Sequence, residues 1–301
     1  MSSNANSVSF VVPCYRNLRT IGFTLRSILS QEDCPASEVS VIDSSEDSVA
    51  DWLRARFPAV RLIRPDGRLW AGAARNLGAA RARGEFLAFV DADAVLRPNW
   101  FRTLRDRLTS AETTRVVGGS VENANPDTQA SRILHWSEFS EFLPGSRSGF
   151  RTFLSSSNLL LRRADFVQTE GFPEHLPASE DRLFLSHLLE RPGSRAYWEG
   201  STGIFHYHRS RWSEVRAHLY HLGYWGGRVR AEDATLRGGQ LIDAPSAALL
   251  LPLYRTPLVA LRVCRAQPRR IPAVLALTPL IFVALSSWAY GFRNGLKGIE
   301  I

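Results

Sequence analysis

Two aspartates, one residue apart, follow a short apolar stretch of the sequence. Asp91 and Asp93 come directly after residues 85–90 (EFLAFV), which are typical of a buried strand. Side chains alternate along an extended backbone, so we expect both carboxylates on the same side of the chain. Two adjacent carboxylates repel each other, and a divalent cation that prefers oxygen ligands removes that repulsion. The pair predicts a site for Mg²⁺ or Mn²⁺, although the same spacing is also common in turns and helix caps.

Alternating strand and helix patterns lead up to this pair. Strands are predicted over residues 8–12, 39–42, 60–63 and 85–90, with helices over 18–29, 51–57 and 72–83 between them. Units of this length form parallel sheets with right-handed crossovers, whose ligands bind at the carboxyl ends of the strands. Tyr15, Asp43 and the Asp91/Asp93 pair each follow a different predicted strand. We therefore expect these side chains to converge on one crevice.

The order of several motifs resembles family 2 glycosyltransferases of the GT-A fold. The motifs that resemble the nucleotide-sugar half are residues 11–17 (VVPCYRN), 41–45 (VIDSS), 72–78 (GAARNLG) and 82–93 (ARGEFLAFVDAD). Those that resemble the acceptor half are residues 157–163 (SNLLLRR), 171–174 (GFPE) and 179–183 (SEDRL). The resemblance extends over roughly the first 210 residues, and the ordered set is far more specific than any single motif. It implies an α/β fold with a GT-A Rossmann-like, mostly parallel sheet flanked by helices, followed here by a C-terminal helical extension.

The resemblance also implies roles for the residues at the strand ends. Pro13 and Tyr15 would line the nucleotide pocket, and Asp43 would accept a hydrogen bond from the base. Asp91 and Asp93 would frame the donor diphosphate and its metal ion, Mn²⁺ or Mg²⁺. The second strand departs from the family pattern, because residues 43–47 (DSSED) lack the second aspartate and the glycine that usually follow.

Further roles fall on a predicted helix and on an acidic pair. Arg75 and Asn76 occupy positions where the family shapes the donor pocket, although both also fit an ordinary helix face. Glu180 would contact the substrate, and Asp181 lies where the family places its catalytic base. The structural alternative for the acidic pair is a first helical turn, where negative charge favours the helix dipole.

Two histidines follow the last predicted strand of this region. In relatives, a histidine here completes the metal shell, and we prefer His206 to His208 for that role. The structural alternative, a histidine that only packs in the fold, stays open for both.

The resemblance predicts a catalytic domain over residues 1–210, with a nucleotide-sugar half over 1–95 and an acceptor half over 96–210. Within the second half, residues 123–150 are polar and turn-rich, and we expect them to form a mobile acceptor loop. Residues 211–301 are predicted to be a helical region with peripheral membrane contact.

Two apolar segments support that membrane contact. Residues 247–263 and 271–292 are separated by arginines, and the second has no charge over roughly 20 residues, long enough to cross a bilayer. Its two prolines and two serines favour helices that lie in the plane of the membrane, through residues 247–292. The alternative is a helix pair packed on the catalytic domain.

Composition limits the other classes of partner and the compartment. The net charge is +8, but Lys297 is the only lysine and the arginines are spread along the chain, which argues against nucleic-acid binding. The cysteines at positions 14, 34 and 264 fit neither a disulfide framework nor a zinc site, and no charged segment precedes the first apolar stretch. We expect a cytoplasmic protein at the cytosolic face of the cell membrane.

These features predict an inverting, metal-dependent glycosyltransferase. It would move a sugar from a nucleotide-diphosphate donor to a hydroxyl of a glycan or lipid-linked acceptor, in cell-envelope polysaccharide or glycolipid assembly. A nucleotidyltransferase is disfavoured because no glycine-rich phosphate loop follows the first strand. A non-catalytic, membrane-associated scaffold is disfavoured because Asp91, Asp93 and Asp181 are all present.

Overall fold

The computed structural model describes residues 7–34 and 37–300, which divide into two compact units. The first unit contains the described residues up to Ser120 together with Ser148–Phe205. The second contains Val121–Arg147 and the described residues from His206 onwards. Compactness alone does not define an independently folding domain. The division into a domain over 1–210 and a region over 211–301 therefore stays a prediction.

Strands and helices alternate through the first half of the chain. The strands are β1 (Val8–Cys14), β2 (Ser37–Asp43), β3 (Arg61–Ile63), β4 (Phe86–Val90), β5 (Ala94–Leu96), β6 (Thr114–Asn123), β7 (Gly149–Arg151), β8 (Asn158–Arg162) and β9 (Arg195–His206). The helices are α1 (Ile21–Leu29), α2 (Val49–Arg56), α3 (Ala71–Ala80), α4 (Trp100–Thr109), α5 (Gln129–Phe139), α6 (Arg163–Phe166), α7 (Glu180–Leu188), α8 (Trp212–Glu232), α9 (Leu251–Ala266) and α10 (Ile271–Leu296). Short 3-10 turns lie at Gly239–Ile242, Pro245–Leu250 and Pro268–Arg270.

The strands of the described residues form one sheet in the order β3-β2-β1-β4-β8-β6-β9-β5, with β7 paired to β9. The predicted parallel α/β arrangement is present, because β3, β2, β1 and β4 are all parallel neighbours. The later strand β8 pairs antiparallel with both β4 and β6, so the whole sheet is mixed. The strands β1 and β4 are almost entirely buried and mostly apolar, as expected for strands covered on both faces, and the last five residues of β2 are also buried.

Strand register places the chemistry-bearing ends at one edge of the sheet. Cys14 at the end of β1 pairs with Asp43 at the end of β2. Val11 pairs with Phe89 of β4, so Asp91, two residues further on, falls at the level of Pro13. Parallel pairing thus explains why residues distant in sequence approach one another at the carboxyl ends of the strands.

Residues 123–150 differ from the predicted mobile loop. They contain helix α5, whose first turn is capped by Thr128: its side-chain oxygen accepts a hydrogen bond from the Ser131 backbone N–H at 3.1 Å. Ile133, Leu134 and Trp136 are buried in the apolar core of the second unit. The loop prediction was wrong here. The polar residues of this stretch indicate a loop, but packing against the core stabilises a helix.

Glycines allow helices α8 and α10 to pack in backbone contact in the second unit. A Cβ atom at Gly223 or Gly227 of α8 would collide with the carbonyl oxygen of Trp288 or Phe292. A Cβ at Gly291 or Gly295 of α10 would collide with backbone carbonyl oxygens of α8. Each helix therefore presents two glycines four residues apart, the small-residue spacing common where membrane helices cross closely.

We expect Gly295→Ala to destabilise the protein by about 1–3 kcal/mol, because the added methyl group forces two well-packed backbones apart. Thermal unfolding of the purified chain measures this effect. Gly67→Ala is the matched control, since a Cβ there has no heavy atom within 4 Å. Equal melting temperatures for the two variants would show that α8 and α10 do not pack as closely as described.

The segments Pro245–Ala266 and Pro268–Leu296 are long and apolar enough to cross a membrane, judged by length and composition. Several of their large apolar side chains are exposed, among them Leu253, Leu275 and Tyr290. Core helices of soluble proteins also satisfy such a test, but they bury most of their surface, whereas only 28% of the most apolar window of each segment is buried.

Candidate functional site

Asp91 and Asp93 lie in a tight turn between β4 and β5. The Ala94 backbone N–H donates to the Asp91 carbonyl oxygen at 3.1 Å, and the Asp91 N–H donates to the Ser157 carbonyl oxygen at 3.4 Å. The backbone is therefore turned at this point, and the expectation of an extended segment was wrong. The turn nevertheless holds a carboxylate oxygen of Asp91 within 4.8 Å of one of Asp93. Two partly exposed carboxylates at this separation fit a divalent cation that takes oxygen ligands.

Arg75 joins two acidic residues that are far apart in sequence. It lies in α3 with 2% of its surface exposed. Its Nη2 donates to Asp91 Oδ1 and its Nη1 to Glu180 Oε1, both at 2.6 Å. Burial by itself lowers the pKa of Arg75, but the charges of Asp91 and Glu180 raise it above its usual value. The guanidinium therefore stays positively charged and links the strand end to the start of α7.

Close packing beside Arg75 depends on a small residue in the same helix. A Cβ atom at Gly72 would lie 2.6 Å from the Pro173 carbonyl oxygen and 3.3 Å from Cγ of Glu180. The guanidinium carbon of Arg75 also lies over the ring of Phe172, 5.4 Å from the ring centroid. The segment before α7 can thus approach α3 closely enough for Glu180 to reach Arg75.

Asp181 is a partly buried carboxyl group whose surroundings favour the protonated form. Burial, followed by the charge of Glu180, raises its pKa from 3.8 to about 7, against the lowering effect of Arg182 and Arg75. The Ser156 backbone N–H donates to Asp181 Oδ2 at 3.3 Å. Ser179, the residue before α7, has a φ of 67°, in the left-handed region that strained functional segments often use. A carboxyl with a pKa near 7 suits proton transfer at neutral pH.

Tyr15 lies in a group of aromatic and cationic side chains that the sequence analysis did not identify. The Arg68 guanidinium carbon lies 4.4 Å from the centroid of the Tyr15 ring and 4.2 Å from that of the Trp70 ring. These are distances for favourable cation–π contacts. Pro13, two residues before Tyr15, is partly exposed at the end of β1. The signal available in the sequence was the pair of residues 68 and 70 just before α3, at the edge where ligands were expected.

Asp43 is fully buried at the end of β2. Its Oδ2 accepts a hydrogen bond from Arg64 Nη1 at 3.0 Å, and its Oδ1 accepts one from the Ser45 backbone N–H at 3.0 Å. Burial and then the Asp43 charge raise the pKa of the neighbouring Cys14 thiol to about 12, so this thiol stays protonated. Both carboxylate oxygens of Asp43 thus already accept a hydrogen bond, and the side chain is not exposed. The role of Asp43 toward a nucleotide base stays a prediction.

The side-chain amide of Asn76 is engaged with the backbone of the segment before α7. Its Nδ2 donates to the Phe172 carbonyl oxygen at 2.8 Å and to Glu174 Oε1 at 3.0 Å. The Phe172 N–H donates to Asn76 Oδ1 at 2.9 Å. These bonds account for both atoms of the amide. Its predicted contact with substrate is untested, and the contacts present favour a role in positioning the 171–174 segment.

The two histidines lie at and just beyond the end of β9, in the second unit. The ring of His206 packs 4.8 Å from that of His208 and 5.4 Å from that of Phe139. His208 is 8% exposed, and its Nε2 lies 3.1 Å from Nδ1 of His135. Burial and then the neighbouring His206 lower the pKa of His208 well below 6.5. Because one nitrogen of His208 is engaged with His135, His206 remains the preferred metal ligand, and that role stays a prediction.

Comparisons with known proteins agree on one family. The family model described as "Glycosyl transferase family 2" matches residues 9–168, more than half of the chain. The succinoglycan biosynthesis protein ExoO of Rhizobium meliloti is 29% identical over 242 residues, which cover 76% of this chain and 68% of that protein. The matched region includes the turn of Asp91 and Asp93 and helix α3.

Solved structures show the same fold at low sequence identity. A mannosyltransferase from Pyrobaculum calidifontis, in complex with GDP-Man and Mn²⁺, aligns with a TM-score of 0.62 and 19% identity, over 98% of this chain and 88% of that chain. TarS of S. aureus aligns with a TM-score of 0.56 and 18% identity over 97% of this chain. This chain spans about half, 55%, of that TarS chain. A shorter TarS, residues 1–349 with UDP, aligns with a TM-score of 0.54.

The predicted fold class is confirmed: the protein has an α/β GT-A fold followed by C-terminal helices. The family that the motifs suggested is confirmed by the family match. The chain belongs to glycosyl transferase family 2.

Proposed function

We propose that this protein is an inverting, metal-dependent glycosyltransferase that uses a nucleotide-diphosphate sugar and a hydroxyl acceptor. The observation that carries the proposal is the link made by Arg75. It joins Asp91, at the predicted diphosphate site, to Glu180, the neighbour in sequence of a carboxyl group with a pKa of about 7. The same few residues thus combine a cation site with a proton acceptor, as sugar transfer requires.

The carboxylates of Asp91 and Asp93 would hold Mn²⁺ or Mg²⁺, with His206 as a third ligand. A bound divalent cation would supply positive charge that stabilises the departing diphosphate. The hydrogen bond that Arg75 donates to Asp91, at 2.6 Å, holds that carboxylate in position and orients it. The fit rests on the close approach of the two carboxylates, within 4.8 Å.

Asp181 would act as the general base for the acceptor hydroxyl. In its ionised form it takes the hydroxyl proton while the oxygen attacks the anomeric carbon from the face opposite the diphosphate. A single displacement of this kind inverts the anomeric configuration. The raised pKa makes Asp181 a stronger base than an exposed aspartate, while leaving it ionised in a large part of the molecules at neutral pH.

The nucleotide would lie against Pro13 and Tyr15, with Asp43 accepting a hydrogen bond from the base. The Tyr15 ring offers a flat face for stacking, and its contact with Arg68 places a cation beside the same crevice. Of the structurally similar proteins, TarS binds UDP and the mannosyltransferase binds GDP-Man. Their likeness to this chain supports a nucleoside diphosphate and leaves the base to experiment.

The acceptor would be a glycan or lipid-linked sugar at the cytosolic face of the cell membrane. The support is the second unit, whose segments Pro245–Ala266 and Pro268–Leu296 are apolar and largely exposed. Exposed apolar helices with arginines between them suit peripheral contact with a bilayer through residues 247–292. The relative ExoO acts in succinoglycan biosynthesis by its name, which agrees with an envelope polysaccharide.

We expect Asp93→Ala to abolish metal-dependent binding of the nucleoside diphosphate. With one carboxylate gone, the affinity for Mn²⁺ falls by more than about 10-fold, and the diphosphate loses its counter-charge. Isothermal calorimetry with UDP, GDP and dTDP, each with Mn²⁺, with Mg²⁺ and with a chelator, measures this.

Asp106→Ala is the matched control, because Asp106 is an exposed aspartate on α4 of the same unit. It should bind as the unaltered protein does. Absence of binding to all three nucleotides by the unaltered protein would refute the proposal. Unchanged metal-dependent binding in Asp93→Ala would move the metal site elsewhere.

A further inference from the structure

A groove runs between helices α8 and α10 of the second unit, and the proposed function does not use it. Its volume is about 620 Å³, within the range of ligand-binding cavities. Trp212 and Tyr220 of α8, with Val283 and Tyr290 of α10, provide its apolar walls. An aromatic, open groove of this size suits an elongated apolar ligand better than a polar metabolite.

One positive charge lies in this apolar lining. Arg216 Nε donates to Ser287 Oγ at 3.2 Å, which holds the guanidinium against α10. Within residues 7–34 and 37–300, no carboxylate forms an ion pair with Arg216, so its two Nη groups remain available for an anion. A guanidinium donates in a planar fork that matches phosphate oxygens. The groove therefore combines one phosphate-binding group with apolar walls.

The surroundings of the groove match a lipid environment. Val283 and Tyr290 belong both to the groove and to the exposed face of α10, which also carries Leu275 and Phe282. The glycine contacts of α8 and α10 bring the two backbones together in the manner of membrane helices. Tryptophan and tyrosine side chains are enriched at the level of lipid head groups. An apolar chain in the groove would therefore continue directly onto an apolar helix face.

We infer that this groove binds one anionic phospholipid of the bilayer, with its phosphate on Arg216 and an acyl chain along Trp212, Val283 and Tyr290. The inference rests on the membrane contact in the proposed function and adds to it a specific lipid site. It involves no bond making or breaking. The site would hold the second unit at a fixed depth and orientation at the membrane surface.

Fluorescence quenching by brominated lipid tests the site. The full chain is bound to phosphatidylcholine vesicles that contain increasing fractions of phosphatidylglycerol with brominated acyl chains. The chain has eight tryptophans. The part of the quenching that is lost in Trp212→Phe comes from Trp212 and therefore reports on the groove. Measuring only vesicle-bound protein separates occupancy of the groove from membrane binding itself.

We expect Arg216→Gln to raise the fraction of brominated lipid needed for half of this quenching by about tenfold, because a charged hydrogen-bonded pair is lost. Ala217→Phe should abolish the same component without a change of charge, since Ala217 lines the groove. Arg211→Gln is the matched control, an exposed arginine at the start of α8 that lies outside the groove and pairs with Glu214. It should leave the midpoint within about twofold.

Three results of the quenching experiment would overturn the inference. The first is no vesicle binding, or no Trp212-dependent quenching in the unaltered protein. The second is an equal midpoint for Arg216→Gln and Arg211→Gln. The third is displacement of the brominated lipid by a far smaller fraction of a polyprenyl phosphate, which would assign the groove to a lipid-linked acceptor instead.

Two further measurements distinguish the lipid site from the proposed function and from a second copy of the chain as the occupant of the groove. Calorimetry with nucleoside diphosphates on the same variants reports on the proposed function, and we expect Arg216→Gln and Ala217→Phe to bind as the unaltered protein does. Light scattering without vesicles tests a second copy of the chain as the occupant. A dimer that Ala217→Phe dissociates would refute the lipid assignment.

Discussion

Asp181→Asn should lower kcat for sugar transfer by about 10²–10⁴-fold, the usual contribution of a general base. The amide keeps the shape of the side chain and cannot accept the hydroxyl proton. Nucleotide binding should persist, because Asp91 and Asp93 are unchanged. Transfer from a nucleotide sugar to an acceptor, measured together with calorimetric binding of the nucleotide, separates the two effects. Asp181→Asn with unaltered kcat would remove Asp181 from the role of base.

The pH dependence gives a second readout of the same residue. A base must be ionised to act, so the rate of the unaltered protein should rise with pH and level off above the Asp181 pKa of about 7. In Asp181→Asn the residual rate should lose this rise. A profile of kcat between pH 5 and about 9 measures it.

Stability should move in the opposite direction to activity. The folded-state pKa of Asp181 is raised above the ordinary 3.8, so the folded protein holds this proton more tightly than the unfolded chain. Its contribution is fully present below pH 3.8 and is lost as the pH rises to about 7. Asp181→Asn does not lose this stability as the pH rises, so the variant should be more stable than the unaltered protein at pH 8. A variant that is inactive but more stable cannot owe its inactivity to misfolding.

Arg75→Met is expected to destabilise the protein by about 3–5 kcal/mol, the cost of leaving a buried ion-pair partner uncompensated. Glu180 is 6% exposed and would lose the guanidinium that neutralises it. Asp91 keeps more contact with solvent and contributes less to the cost. Urea unfolding at neutral pH measures the loss.

Two variants test whether the loss of stability comes from the unpaired carboxylate of Glu180. Arg75→Met combined with Glu180→Gln should recover much of the lost stability, because the unpaired buried carboxylate is gone. Arg102→Met removes an arginine whose ion pair with Asp33 is exposed to solvent, and it should have no measurable effect. Equal losses for Arg75→Met and Arg102→Met would refute the buried link.

Arg75→Met should also change the pH profile of sugar transfer. Arg75 lowers the pKa of Asp181, so its removal should move the rise in kcat to higher pH. A purely structural role for Arg75 would change the stability without moving that midpoint.

The strand and helix order of the first unit could be predicted because it depends on local patterns. Apolar stretches that end in polar residues predicted β1, β2 and β4, and the parallel arrangement followed from the helices between them. Helix α5 could not be predicted in this way, since its polar and apolar residues are mixed and its stability comes from the core of the second unit. The glycine spacing of α8 and α10 is visible in the sequence, but only the structure shows that these glycines lie in the contact between the two helices.

For the candidate site, sequence identified residue types, and the tertiary structure decided their partners. The spacing of Asp91 and Asp93 was enough to predict neighbouring carboxylates, because residues so close in the chain must lie near each other. The contacts of Asn76 and the stack of Arg68 on Tyr15 depend on how distant segments meet.

The sequence by itself determined the family, the sheet with its strand ends and the close pair of aspartates, because motif order and local periodicity carry these. Only the tertiary structure decided that Arg75 joins Asp91, 16 residues away, to Glu180, 105 residues away. It likewise decided that the pKa of Asp181 is about 7. Desolvation and charge interactions depend on distance in space, and no local pattern in a sequence specifies that distance for residues so far apart.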